Sequence, residues 1–126
     1  MSLEENKAIV RKMVEALNKI NLAVIDEFID EFFALDVVDH TSQGEVQGRE
    51  HLKQAYAMVL KEYPDLHYTL PIEDIIAEGD KVWFLAKITG TDSSGKKMDA
   101  TILAILRIVN GKFVESWGPL LLQKTP

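Results

Sequence analysis

The chain has 126 residues, is 47% hydrophobic and holds four prolines, enough for one compact core and too little for two comfortable domains, so one domain over residues 1–126 is expected. Fourteen basic residues against twenty acidic ones leave a net charge of -6, and no window gathers lysine and arginine into a stripe, which argues against nucleic acid as a partner. The absence of cysteine excludes disulfides, thiolate nucleophiles and cysteine-bound zinc, and no apolar run approaches the roughly 18 to 20 residues that span a bilayer. The acidic start Met1-Ser2-Leu3-Glu4-Glu5 is unlike a signal peptide, so a cytoplasmic protein without membrane contact is expected.

Taken in chain order, Ile9, Met13, Leu17 and Ile20 recur at steps of three and four, and Ser2 and Glu5 have capping-box spacing, which predicts an amphipathic helix over 3–19. Leu22, Ile25, Phe28, Ile29 and Phe32 keep that period after Asn21 and predict a second, shorter helix whose wet side carries Asp26, Glu27, Asp30 and Glu31. The period then fails. Residues 36–40 read as a short extended piece running into a polar loop at Thr41-Ser42-Gln43-Gly44. A third helix begins near Gly48, with Leu52, Ala55, Tyr56, Val59, Leu60 and Tyr63 as its apolar stripe, and Pro64 marks its end.

Beyond Pro64 the runs 66–76, 81–91, 98–109 and 112–122 are rich in β-branched and aromatic residues and are divided by Glu78-Gly79-Asp80, Ser93-Ser94-Gly95 and Asn110-Gly111. Asn-Gly between two such runs is a strong hairpin signal, because both central residues of a type I′ turn need positive φ. The expected fold class is therefore α+β, with three N-terminal helices on one side of a meandering, mostly antiparallel sheet.

Strand alternation puts Met98, Ala100, Ile102, Ala104, Leu106 and Ile108 on one wholly apolar face. In the last strand it separates Val114, Ser116, Gly118, Leu120 and Leu122 from Phe113, Glu115, Trp117, Pro119 and Leu121. If Ala104 and Gly118 face inward, their small size leaves room for a ligand.

His40, after Val37-Val38-Asp39, has two readings: a general acid or base able to orient a ligand carbonyl, or a structural histidine satisfied by Asp39 or a backbone carbonyl at a strand end. His51 and His67 read as solvent-facing, and the three histidines lack metal-ligand spacing, so neither metal nor other cofactor is expected. Most carboxylates belong to wet helix faces. Glu73-Asp74, Asp99 and Glu115 lie in strand text and are better pocket or interface groups, while Asp92 reads equally as a turn residue. There is no Gly-x-Ser-x-Gly, and Gly44-Glu45-Val46-Gln47-Gly48-Arg49 lacks the lysine and hydroxyl of a phosphate loop.

Asp39-His40, Gly48-Arg49, Tyr63-Pro64-Asp65-Leu66, Glu78-Gly79-Asp80-Lys81-Val82, Gly90-Thr91 and Arg107-Ile108-Val109-Asn110-Gly111-Lys112 leading to Glu115-Ser116-Trp117 form an ordered set spanning nearly the whole chain. Together they resemble the SnoaL-like polyketide cyclase branch of the nuclear transport factor 2-like superfamily.

The resemblance implies an α+β cone in which a strongly curved sheet wraps the helices around an apolar pocket for a small molecule. It implies that His40, with Asp39 as partner, faces that pocket among Met13, Leu17, Phe32, Tyr56, Trp83, Phe84, Ile102, Ala104, Ser116, Gly118 and Leu120. It also implies a homodimer through the outer sheet face, for which Leu103, Ile105 and Trp117 are the expected contacts.

Family cyclases that work by aldol chemistry place an aspartate on the last strand and a histidine on the strand before it. Aligned through Arg107 to Lys112, this chain has Gly118 and Ala104 there, with Ser116 for the usual histidine before Trp117 and Asp92 for the one after glycine-threonine. Two functions stay open: a binding domain for a small, largely apolar molecule, and a cyclase-, isomerase- or hydrolase-like enzyme acting on a carbonyl or ester compound through His40. A third is an interaction module working through the outer sheet face.

Overall fold

A computed structural model describes residues 2–72 and 74–124, so Glu73 lies outside the described residues. The first helix, α1 (Leu3–Leu17), opens with a reciprocal cap: Ser2 Oγ accepts from the Glu5 N–H at 3.1 Å, and Glu5 Oε1 accepts from the Ser2 N–H at 2.9 Å. It buries Val10, Met13, Val14 and Leu17 and stops two residues short of the expected end, where Asn18 leaves the helix to serve a distant strand. The second helix is shorter than its periodicity suggests. Asn21 Oδ1 caps a 3-10 turn (Leu22–Val24), and α2 proper is Ile25–Phe32.

The chain after Phe32 is more ordered than its polarity suggests. The strand β1 (Phe33–Thr41) turns at Thr41 into β2 (Gly44–Gln47), so the expected polar loop is a hairpin. Gly48, at φ 99°, reverses the chain into α3 (Arg49–Glu62), and this positive φ is the reason for glycine at that landmark. Arg49 then donates from Nε and Nη2 to the Phe33 carbonyl at 3.0 and 2.8 Å, while Lys112 Nζ donates to the carbonyls of Asp30 and Glu31. Cationic side chains thereby satisfy the open C-terminal end of α2.

The expected strand over 66–76 is two strands, β3 (His67–Tyr68) and β4 (Asp74–Glu78), divided around Pro71, which has no N–H to give a ladder. The long strands β5 (Lys81–Thr91), β6 (Lys97–Val109) and β7 (Lys112–Lys124) complete a sheet of order β2-β1-β7-β6-β5-β3, with β4 also paired to β5. All pairs are antiparallel except β1 with β7. Asn110 and Gly111, at φ 51° and 77°, form the predicted tight turn.

Three helices thus pack on a curved, mostly antiparallel sheet in the α+β cone arrangement. Its inner face carries Val37, Val82, Phe84, Ala86, Ile88, Ala100, Ile102, Leu106, Ile108 and Phe113 against α1 and α2. Among the described residues, no helix is long and apolar enough to cross a membrane.

The last strand corrects one expectation. Arg107 opposes Glu115 but Ile108 opposes Phe113, so Val114 is an extra residue that changes the phase. Phe113 and Ser116, three residues apart, are both buried. A second irregularity near Gly118 lets Leu103 oppose Leu120 and Ile102 oppose Leu121, which puts Leu120 on the outer face and Leu121, although exposed, on the side of the cavity it lines.

Candidate functional site

Between α1, α3 and the inner sheet face lies a cavity of two chambers. The inner one, of about 60 Å³, is walled by Met13, Leu17, Leu52, Phe84, Ala104, Leu106, Ser116 and Gly118. The outer one, of about 290 Å³, is walled by Ala55, Val59, Leu60, Tyr63, Leu66, Ile88, Met98 and Leu121. Tyr56, Tyr68, Ile102 and Pro119 line both and so form the neck between them. Gly90 gives Tyr63 its seat: a Cβ there would stand 3.1 Å from the Tyr63 Cβ.

The two neck phenols are the polar groups of an otherwise apolar passage. Tyr56 comes from α3 and is wedged against Phe28 and Phe33, with ring centroids 5.7 and 6.4 Å away. Tyr68 is held through its backbone. Asn18 donates to its carbonyl at 2.9 Å and accepts from its N–H at 2.7 Å, imitating a neighbouring strand.

Burial pushes the Tyr56 phenol far above its ordinary range, with the nearby Tyr68 and Asp39 adding to the effect, and burial pushes Tyr68 up to about 12. Both therefore remain hydrogen-bond donors at neutral pH. Among the described residues neither hydroxyl has a hydrogen-bond partner.

Behind Ser116 of the inner wall stands Asp39. Its side chain is 9% exposed, its Oδ1 accepts from Ser116 Oγ at 2.8 Å, and its Oδ2 lies 3.2 Å from Nε2 of His51 on α3. Asp39 and Ser116 meet because β1 and β7 run parallel with these residues in register on the inner face.

His40, one residue on, faces the other way. Its ring stacks on Trp117 at 4.6 Å with 2° between the planes, its Nε2 is 2.5 Å from Glu115 Oε2, and its Nδ1 is 3.6 Å from Glu45. The expectation that His40 faces the pocket is therefore corrected: the two-residue strand period gives the inner position to Asp39. Trp83 and Leu120 are likewise outer-face residues, 46% and 58% exposed, and Phe32 is a core ring stacked on Phe113 at 6.2 Å. Met13, Leu17, Tyr56, Phe84, Ile102, Ala104, Ser116 and Gly118 are brought together in the wall.

Sequence reasoning missed Tyr68 and His51. Tyr68 alternates with the exposed His67, which was a usable signal, whereas nothing local marks His51 as reaching a carboxylate on another element. Asp92 is a turn residue, accepting from the N–H groups of Ser94 and Lys96 at 2.9 Å each. Among the described residues, no group of three or more histidine or carboxylate side chains is placed to hold a metal ion.

The outer network also makes Glu115 more acidic than a free glutamate. The hydrogen bond from His40, and then that from Arg107 Nε at 2.9 Å, hold its carboxyl below the usual glutamate range. A depressed folded-state pKa adds stability that is complete above the unfolded value and is lost as pH falls through the folded one. Urea titrations of wild type and Glu115→Gln should accordingly differ at neutral pH and converge below about pH 4. A gap that is constant with pH would remove the carboxylate's charge as the cause.

A sequence profile of the SnoaL-like polyketide cyclase family matches residues 7–120. The chain belongs to that family. Among solved structures it is similar to AclR, a candidate hydroxylase from Streptomyces galilaeus, with 28% identity and a TM-score of 0.77 over 92% of this chain and 74% of that one. It is similar to a candidate polyketide cyclase from Bacillus cereus ATCC 10987, with 36% identity and a TM-score of 0.64 over 73% of this chain and 60% of that one. An NTF2-like protein from Anabaena variabilis ATCC 29413 shares the fold at 14% identity, with a TM-score of 0.75 over 93% and 90% of the two chains. Comparison with curated proteins finds no match.

Proposed function

We propose that this member of the SnoaL-like family is a cytoplasmic protein that binds a small, largely apolar molecule in the two-chambered cavity and lacks the aldol base of the family's cyclases. The observation that carries this reading is the pair of unpartnered phenols in an apolar neck. The rings are half-buried and their hydroxyls have no protein partner, so a ligand oxygen can take the place of water on them. The small residues Ala104 and Gly118 supply space where the resemblance expects a histidine and an aspartate.

Native mass spectrometry of gently purified protein is the test, with Ile102→Trp as the companion variant because Ile102 lines both chambers. Wild type should carry a small-molecule adduct that the folded variant loses. An adduct equally present in Ile102→Trp would place it elsewhere and remove the reading.

A second reading, an enzyme, is favoured by Ser116, Asp39 and His51 at the inner end, and AclR's description as a candidate hydroxylase widens the chemistry to be assayed beyond cyclisation. In that reading the acid or base is Asp39, because His40 lies on the opposite face of the sheet.

The proposed partner of the outer face is a second copy of the chain. Ile76, Trp83, Ile105 and Trp117 form one row across four strands, and Leu85, Leu103 and Leu120 form the next. Such a continuous apolar surface is unusual for a monomer. Ile105→Asp is expected to weaken association about 30- to 100-fold, or about 2–3 kcal/mol. Sedimentation velocity reads this directly, and wild type that is monomeric at micromolar concentration would exclude the dimer.

A further inference from the structure

The two chambers differ greatly in size and are joined where Tyr56 and Tyr68 line both. An apolar cavity of about 150 Å³ takes one benzene, so the outer chamber, at about 290 Å³, has space for a body of about two rings. The inner one, at about 60 Å³, is too small for a ring and suits a methyl-sized group. The rings of Tyr56, Tyr63 and Tyr68 line the outer chamber and favour a flat aromatic body. We propose that the ligand is a neutral aryl ketone of one or two rings, with its rings in the outer chamber, its carbonyl at the neck and a short alkyl group in the inner chamber. The proposal rests on reading the cavity as a ligand site and names the chemistry that site takes.

Hydrogen bonding at the neck calls for an acceptor. Neither neck hydroxyl has a partner among the described residues, and the two phenols lie close enough to influence each other's ionisation. Burial keeps both protonated, so each is a donor at neutral pH. A ketone oxygen has two lone pairs and can accept from both. The other wall hydroxyls are already engaged: Ser116 donates to Asp39 Oδ1 at 2.8 Å, and Tyr63 bonds the exposed Glu62.

The wall also selects against an anion. Among the described residues no lysine, arginine or histidine lines either chamber, and the carboxylate of Asp39 stands behind Ser116. The desolvation that keeps the phenols neutral would equally oppose a ligand carboxylate. A ketone brings an oxygen to the neck without a charge.

Three probes of matched shape make the test. They are 2-acetylnaphthalene, 2-isopropenylnaphthalene, in which a methylene replaces the carbonyl oxygen, and 2-naphthoate, in which a carboxylate replaces the acetyl group. Equilibrium dialysis at neutral pH measures their affinities for wild type, Tyr56→Phe and Tyr68→Phe. Each variant should lower the ratio of ketone to alkene affinity about three- to tenfold, the size of one hydrogen bond. The alkene should bind the variants undiminished, which also shows that they keep a folded cavity. Naphthoate should bind wild type at least about 100-fold more weakly than the ketone. The carbonyl stretch of bound 2-acetylnaphthalene, read by infrared difference spectroscopy, should lie below its position in an alkane solvent and move back up in each variant.

A ketone-to-alkene ratio unchanged in both variants, or naphthoate binding as tightly as the ketone, would overturn the ketone assignment and leave the cavity as a ligand site. Wild type that binds none of the three probes would overturn the assignment too, while the native adduct and its loss in Ile102→Trp decide the cavity reading separately.

Discussion

Gly118→Asp, which puts an aspartate where the resemblance expects the aldol base, is expected to destabilise the protein by roughly 2–6 kcal/mol and to give no cyclase activity. Gly118 sits at φ 93°, and a Cβ built there would lie 2.9 Å from both the Leu103 carbonyl oxygen and the Leu120 nitrogen. A side chain at that φ costs about 1–3 kcal/mol, and backbone atoms at that distance cannot move aside as a flexible side chain would.

Gly95→Ala separates the two causes, because Gly95 has φ 86° and open space around its Cβ direction. That variant should lose only about 1–2 kcal/mol. Denaturant unfolding of both measures the difference, and a Gly118→Asp protein within about 1 kcal/mol of wild type would show that the strand adapts. The consequence bears on the proposed function: backbone shape disfavours an aspartate at 118, where the resemblance expects the aldol base, so Ala104→His beside it should not create aldol activity either.

How far the sequence could be read depended on the range of the interactions involved. The helices were legible because their caps and stripes are local: Ser2 and Glu5 cap α1, and Ile25, Phe28, Ile29 and Phe32 repeat on one side of α2. The strand turns at Asn110-Gly111 and Glu78-Gly79-Asp80 were legible for the same reason. What failed was phase. Val37-Val38-Asp39-His40 offers one valine and one polar residue to each face, so nothing in the stretch says which polar residue goes inside. The decision is made by the parallel pairing of β1 with β7, which sets Asp39 beside Ser116 and His40 beside Trp117. His51 and Asn18 were missed for a related reason, because their partners Asp39 and Tyr68 belong to other elements. The Gly48-Arg49 landmark was legible as a marker of the fold, but its work is structural: a positive φ and a guanidinium closing the end of α2.

The phase change in β7 gives the sharpest quantitative contrast between simple alternation and the bulged strand. Alternation groups Val114 with Ser116 and puts Phe113 on the opposite face, whereas the bulge buries Phe113 completely and leaves Val114 half-buried. Phe113 stacks on Phe32 at 6.2 Å and meets Phe33 edge-on at 5.2 Å, so its ring joins α2 to the floor of the sheet. Phe113→Ala is therefore expected to cost about 3–5 kcal/mol through lost burial and a cavity among aromatic neighbours. Val114→Ala should cost about 1 kcal/mol or less. Equilibrium unfolding of the two variants decides between the phases, and the reverse order of losses would mean that Phe113 lies outside and the bulge does not form. The same bulge brings Ser116 onto the inner face with Phe113. A large loss at Phe113 and a small one at Val114 would therefore also support the register that sets Ser116 against Asp39, on which the polar end of the cavity depends.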